Sequence, residues 1–369
     1  MNCTVFGCYA SVSRFDASAT GRVPADLTIC SLLLMRSLCL LGGLTVVLGL
    51  AACGTPRRIA PMDPVIDMHL HIEPYDAEGP PPLTICAPYE SWPALDPAKG
   101  VASYVATLFD KPSCARSFVS ATSDDDLRRR TLAALTAHNV YALGGGDPAL
   151  VARWQQEAGG RIIPAVDLSL AKPPSIDALR TLHAAGRLKA IAEVLIQYEG
   201  IAVTDGRMEP YFALAESLDV PVGIHMGPGP PGIGYFAMPG YRMALTDPLA
   251  LEPVLVKHPK LRVFVMHAGW PMLERMIALM YSHPQVYVDV GVLDTVFPPS
   301  EFYRYVHALT DAGFGERIMF GSDQMVWPEL IETAIDRVQQ APNLSTRQKR
   351  AILYDNAAKF LRLDPDRTR

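Results

Sequence analysis

Val65-Ile66-Asp67-Met68-His69-Leu70-His71-Ile72 is the stretch on which the rest of the reading turns. Apolar and polar residues alternate strictly, which predicts a β-strand with two unlike faces. Ile66, Met68, Leu70 and Ile72 fall on one face, and Asp67, His69 and His71 on the other. Two imidazoles and a carboxylate on a strand otherwise suited to burial require partners. A divalent cation is the simplest one, because neutral imidazole is the commonest nitrogen ligand. By itself His-x-His describes a solvated strand end equally well, so the chain downstream has to decide.

Downstream the pattern becomes regular. Residues 73–123 form a long insertion rich in Pro and Gly, and Tyr89, Trp92, Tyr104 and Phe109 give it apolar anchors, as in an ordered lid. Asp124-Asp125-Asp126 then opens a helix, with acids where the helix dipole favours them. Strands are expected at 140–143, 161–168, 188–196, 221–226, 261–267, 286–290 and 317–320, each followed by a helix, with an extra helix at 345–363. Eight such units predict an α/β fold with a parallel sheet covered by helices. Over residues 65–363 they fit a (β/α)8 TIM barrel with a long β1–α1 insertion and an extra C-terminal helix. An open doubly wound sheet would need a glycine-rich phosphate turn after the first strand, where this chain has His71-Ile72-Glu73-Pro74.

Barrel active sites lie at the C-terminal ends of the strands. Those ends carry His69 and His71, Glu193 in Ala190-Ile191-Ala192-Glu193-Val194, His225, His267, and Asp323 in Gly321-Ser322-Asp323. The other histidines, His138, His183, His258, His283 and His307, fall on helices or at their ends and read as surface residues. Six nitrogen and oxygen donors converging on one rim point to a metal. Asp289 and Asp294, near the end of the seventh strand, read as turn caps.

This set resembles the amidohydrolase superfamily, and Tyr354-Asp355-Asn356-Ala357-Ala358-Lys359-Phe360-Leu361 resembles the C-terminal helix of its amidohydrolase-related branch of metal-dependent TIM-barrel hydrolases. The resemblance implies His69, His71, Glu193, His225, His267 and Asp323 as ligands to one or two divalent ions, Zn or Mn. Many two-metal members bridge their ions with a carboxylated lysine. Here Glu193 takes that place, in a setting similar to that of TatD-type nucleases, and a glutamate is able to bridge two ions or to support a ligand histidine from behind. The implied reaction is hydrolysis of an ester, lactone or amide by metal-activated water, with Asp323 as general base and acid. A one-metal decarboxylase of the same superfamily is the alternative, followed by a non-catalytic binding lipoprotein and a nuclease. For the substrate, Arg242 is a candidate partner of a carboxylate and Tyr235 of an apolar group, with Trp270 and Trp327 as pocket walls.

Composition sets the boundaries. The chain has 369 residues, 49% hydrophobic and 19% charged, with a formal net charge of -5. No dense basic run offers a nucleic acid its electrostatic footprint, so the expected partner is a small molecule, and oligomerisation is left open. Arg36 precedes an apolar run, 37–52, short for a membrane span and typical of a secretory signal. Leu50-Ala51-Ala52-Cys53 resembles a bacterial lipobox, which implies cleavage before Cys53 and anchoring through its lipidated thiol. Residues 1–34 then read as a spurious upstream extension, 35–52 as the signal and 53–64 as a tether. The protein is expected to be exported and held at a membrane facing the periplasm. In that oxidising setting the remaining cysteines, Cys86 and Cys114, are expected to pair.

Overall fold

The computed structural model describes residues 63–363. The expected upstream extension, signal, Cys53 and most of the tether lie outside the described residues. Eight parallel strands form the barrel: β1 (Val65–Ile72), β4 (Val140–Gly146), β5 (Ile162–Leu168), β6 (Ala190–Val194), β7 (Val222–His225), β8 (Val263–Met266), β9 (Val286–Asp289) and β10 (Ile318–Met319). The short β2 (Thr84–Cys86) and β3 (Ser117–Val119) lie within the insertion. The barrel strands follow one another in chain order around the sheet. Backbone bonds from Met68 N–H to the Phe320 carbonyl and from Asp323 N–H to the His69 carbonyl, both 2.9 Å, close the ring. A helix follows each strand, so the expected (β/α)8 architecture is the one found. None of the described helices is long and apolar enough to cross a membrane.

The two-faced reading of β1 needs a correction. Its register against β4 shifts between Asp67 and Leu70, a bulge that reverses the alternation. Ile66 and Met68 pack inside the barrel with Leu143, Ala192 and Phe264. Leu70 and Ile72 belong to the layer between sheet and helices. Asp67 consequently parts company with the histidines. It is fully buried and accepts bonds from the Ser322 hydroxyl at 2.6 Å, the Ser322 N–H at 2.9 Å and the His69 N–H at 2.9 Å. Asp67 thus fastens β1 to the segment after β10.

The opposite end of the barrel is stoppered. Phe360, on the C-terminal helix Asn356–Leu361, packs 5.7 Å from the ring of Phe264 and 4.7 Å from that of Tyr287, both near strand starts. Among the helix-associated histidines, His258 is not a surface residue. It is buried, 3.1 Å from Glu216 and 3.3 Å from Glu209.

The insertion is ordered. β2 and β3 pair antiparallel, and Cys86 is disulfide-bonded to Cys114. A helical segment spans Val101–Val105 and continues with wider turns through Ala106–Asp110. The Tyr89 hydroxyl donates to the Leu108 carbonyl at 2.7 Å, and Trp327 Nε1 donates to the Leu83 carbonyl at 3.1 Å. The insertion is therefore bonded both to itself and to the segment after β10, and its residues form part of the wall above the strand ends.

Candidate metal centre

The strand ends bring the six sequence-predicted donors into one cluster. His71 Nε2 lies 2.9 Å from Asp323 Oδ1, and His69 Nε2 lies 3.5 Å from the same oxygen. Glu193 presents its two oxygens to different partners. Oε2 is 3.5 Å from His69 Nε2 and 3.6 Å from His71 Nε2, whereas Oε1 contacts Nδ1 of His225. His267 Nε2 is 3.1 Å from His225 Nδ1, and His267 Nδ1 is 3.8 Å from Asp323 Oδ2. Two compact sets emerge, His69–His71–Asp323 and His69–Glu193–His267, each with donor atoms within 4.8 Å of one another. His225 belongs to neither set and joins the cluster through Glu193.

Backbone geometry explains how the side chains reach the cluster. His267 and Asp323 sit at φ 58° and φ 48°, and Ala268, Val292 and Met325 beside them are also left-handed. Such conformations are costly for residues with a Cβ and concentrate at functional sites. Glycine clears the approach on the Asp323 side: a Cβ on Gly321 would lie 2.7 Å from that of His69.

Donor chemistry and charge both suit a divalent cation. Nε2 of His69 and of His225 are buried, with no hydrogen-bond partner. Burial alone would raise the carboxyl of Asp323, but His69 and His71 outweigh it and hold the group well below the usual carboxylate range. Burial likewise opposes ionisation of Glu193, and His225 and His69 reverse the effect. Burial disfavours the charged form of His71, yet Asp323, Glu73 and Glu193 push it up to about 10. His267 goes the other way, down to about 4, through burial and the neighbouring His225, against the pull of Asp323. The cluster therefore calls for positive charge at its centre, supplied either by protons on imidazoles or by a metal ion.

Several contributors escaped the sequence reading. Asp289, expected as a turn cap, does accept the Gly291 N–H at 2.9 Å, but its Oδ1 also lies 3.4 Å from His69 Nδ1 and 3.3 Å from the His267 N–H. It braces the His69 ring from behind, as a carboxylate does for a metal-binding histidine. Asp294 caps nothing: it is fully buried, and both its oxygens lack partners. Asp167 accepts the Glu193 N–H at 2.8 Å. Tyr198 holds its ring 4.6 Å from that of His225. Asp167 is the polar exception in an apolar strand and was readable on that ground; Tyr198 left no local signal.

A cavity of about 730 Å³ opens above the cluster. Trp270 and Trp327 line it, as expected. Tyr235 and Arg242 do not. Tyr235 is 74% exposed, and Arg242 Nη1 donates to the carbonyls of Pro239 and Tyr241, both at 2.7 Å. Their loop does reach the rim, but it contributes Ile233 and Met238 instead.

Among solved structures, the chain is similar to an uncharacterized TIM-barrel protein from Bordetella bronchiseptica, at 18% identity and TM-score 0.50, over 66% of this chain and 86% of that one. It is also similar to a probable 2-pyrone-4,6-dicarboxylic acid hydrolase from Acinetobacter baumannii solved with citric acid bound, at 14% identity and TM-score 0.52, over 81% and 99%. A 5-carboxyvanillate decarboxylase from Novosphingobium aromaticivorans with bound manganese aligns at 16% identity and TM-score 0.48, over 64% and 82%. At these identities the likeness concerns the fold alone. None of the curated proteins matches the chain. The sequence itself matches the amidohydrolase family over residues 66–363, and the chain belongs to that family.

Proposed function

We propose that this protein is a metal-dependent hydrolase of ester, lactone or amide bonds in a small molecule. The observation that carries the reading is Glu193, whose two oxygens face separate imidazole sets while Asp323 closes the cluster from the opposite side. His69, His71 and Asp323 would hold one ion, His225 and His267 a second, and Glu193 would serve both. Donors of nitrogen and oxygen with no thiolate suit zinc or manganese. A divalent cation so held acidifies water and polarises a carbonyl.

The chain's own groups do the rest. His69 and His71 hold the Asp323 carboxyl well below the usual carboxylate range, and Oδ2 would take a proton from the attacking water and return it to the leaving group. Asp289 keeps His69 in the orientation that points Nε2 inward. The walls of the cavity seat the substrate and exclude bulk water.

Elemental analysis of the purified protein, followed by a panel of esters, lactones and amides assayed with the metal found, tests this reading. Two equivalents of zinc or manganese per chain and turnover that chelation abolishes and metal restores are expected. Absence of bound metal would overturn the assignment. So would carbon dioxide release from an aromatic acid with every ester, lactone and amide left intact, which would make the protein a decarboxylase.

Export and membrane anchoring through Cys53 belong to the same proposal. The bonded Cys86–Cys114 pair supports an oxidising compartment. Metabolic labelling with a radioactive fatty acid should mark the native protein and leave Cys53→Ala unlabelled.

A further inference from the structure

The cavity wall carries information about substrate charge. One side is an aromatic ladder: Tyr89 stacks 4.9 Å from Trp92, Trp92 lies edge-on 5.2 Å from Phe297, and Phe297 lies edge-on 4.6 Å from Trp270. Apart from His71, His225 and His267 of the cluster and the hydroxyls of Ser169 and Tyr198, the polar lining is acidic. Glu73, Glu78, Asp167, Glu193, Glu199 and Asp323 face the cavity, and no arginine or lysine among the described residues does. Glu193 and Asp323 belong to the metal cluster, and Glu199 accepts the Leu170 N–H at 2.9 Å. Asp167 accepts the Glu193 N–H at 2.8 Å and Glu73 lies 4.0 Å from His71, so both border the cluster, and Glu78 also faces the cavity. Neither the protonated nor the ionised form of these carboxyls supplies a positive charge. Arg242, the cation expected from the sequence to meet a substrate carboxylate, is engaged with backbone carbonyls outside the wall.

We propose that the cavity takes an uncharged substrate, an ester, lactone or amide flanked by aromatic or alkyl groups, and rejects analogues that carry a carboxylate at the end remote from the histidine cluster. This rests on the hydrolase reading above. An anion seated there exchanges water for an apolar wall and carboxyl groups, a transfer that is unfavourable without a paired cation. An alkyl or aryl end meets the aromatic ladder instead. At about 730 Å³ the space suits a molecule of ordinary ligand size.

Matched substrates test the inference. 4-Nitrophenyl hexanoate and mono-4-nitrophenyl adipate share a leaving group and nearly a length, and differ by a terminal carboxylate. The uncharged ester is expected to have a kcat/KM on the order of a hundredfold higher; a gap under tenfold, or a preference for the adipate, overturns the proposal. Met238→Arg, at the exposed rim of the cavity, supplies the missing cation and should narrow the gap at least tenfold. A gap that this variant leaves unchanged would overturn the assignment of the discrimination to the wall.

If neither ester is cleaved, the hydrolase reading is decided by the wider panel of esters, lactones and amides, and binding still decides the charge preference. Trp92, Trp270 and Trp327 line the cavity, so quenching of tryptophan fluorescence by the two corresponding methyl ketones reports occupancy without turnover. Tighter binding of the uncharged ketone supports the proposal, and equal or tighter binding of the carboxylated one overturns it.

Discussion

Two aspartates touch the same imidazole and should fail differently. Asp323 is both a donor in the cluster and the base proposed for proton transfer, so Asp323→Asn keeps the shape and removes the charge that His69 and His71 compensate. A loss in kcat of about 10³-fold is expected, within the range for a positioned acid–base group. The fold should persist, as read by circular dichroism and melting temperature, and retention of most activity in metal-supplemented buffer would remove Asp323 from its role. Asp289 never reaches the cavity and acts through His69 Nδ1. Asp289→Asn is expected to weaken metal affinity by roughly 10–100-fold, the usual effect of removing a carboxylate that orients a ligand histidine. Competition with a chromogenic chelator measures it, and native affinity in this variant would show that the His267 N–H and Gly291 N–H bonds are its whole function.

How much was legible in the sequence depended on the element. His225, His267 and Glu193 stood out because each interrupts an apolar strand at or near its end, where burial makes an isolated polar group costly. The β1 bulge was invisible, since period-two alternation continues through it, and only the pairing with β4 shows Met68 and His69 facing the same interior. Tyr235 and Arg242 were misplaced because adjacency to a rim loop does not say which way the loop's side chains turn. The insertion read correctly as an ordered lid, but its contribution of Ile85, Tyr89, Trp92, Leu108 and Phe109 to the wall required tertiary contacts. That arrangement leads to a prediction about the clamp that holds it. Cys86 and Cys114 lie 28 residues apart, so Cys86→Ser with Cys114→Ser should cost about 3–4 kcal/mol through the loosened unfolded chain. Because the proposed metal donors sit on barrel strands and their following loops, the kinetic effect should fall mainly on KM, several-fold upward, with kcat less affected. Denaturation in urea and steady-state kinetics separate the two, and an unchanged KM would mean that the wall keeps its form without the disulfide.

At the scale of the whole molecule the barrel divides its work between its ends. The donors, the left-handed residues around them and the cavity lie where the strands finish, and the stopper lies where they begin. In this architecture chemistry belongs to the first end and stability to the second. Phe360 is the clearest probe of the second: it is 3% exposed, touches the rings of Phe264 and Tyr287, and has the Arg262 guanidinium over its ring at 5.7 Å. Truncating it leaves a void beneath the barrel that packed strands are poorly able to close. Phe360→Ala should therefore lower stability by about 3–5 kcal/mol in urea denaturation. Metal content, KM and the preference for uncharged esters should remain native, because the rings that Phe360 packs against, Phe264 and Tyr287, do not line the cavity. A several-fold change in KM would show instead that the interior layer of Met68, Leu143, Ala192 and Met266 transmits strain from one end of the barrel to the other.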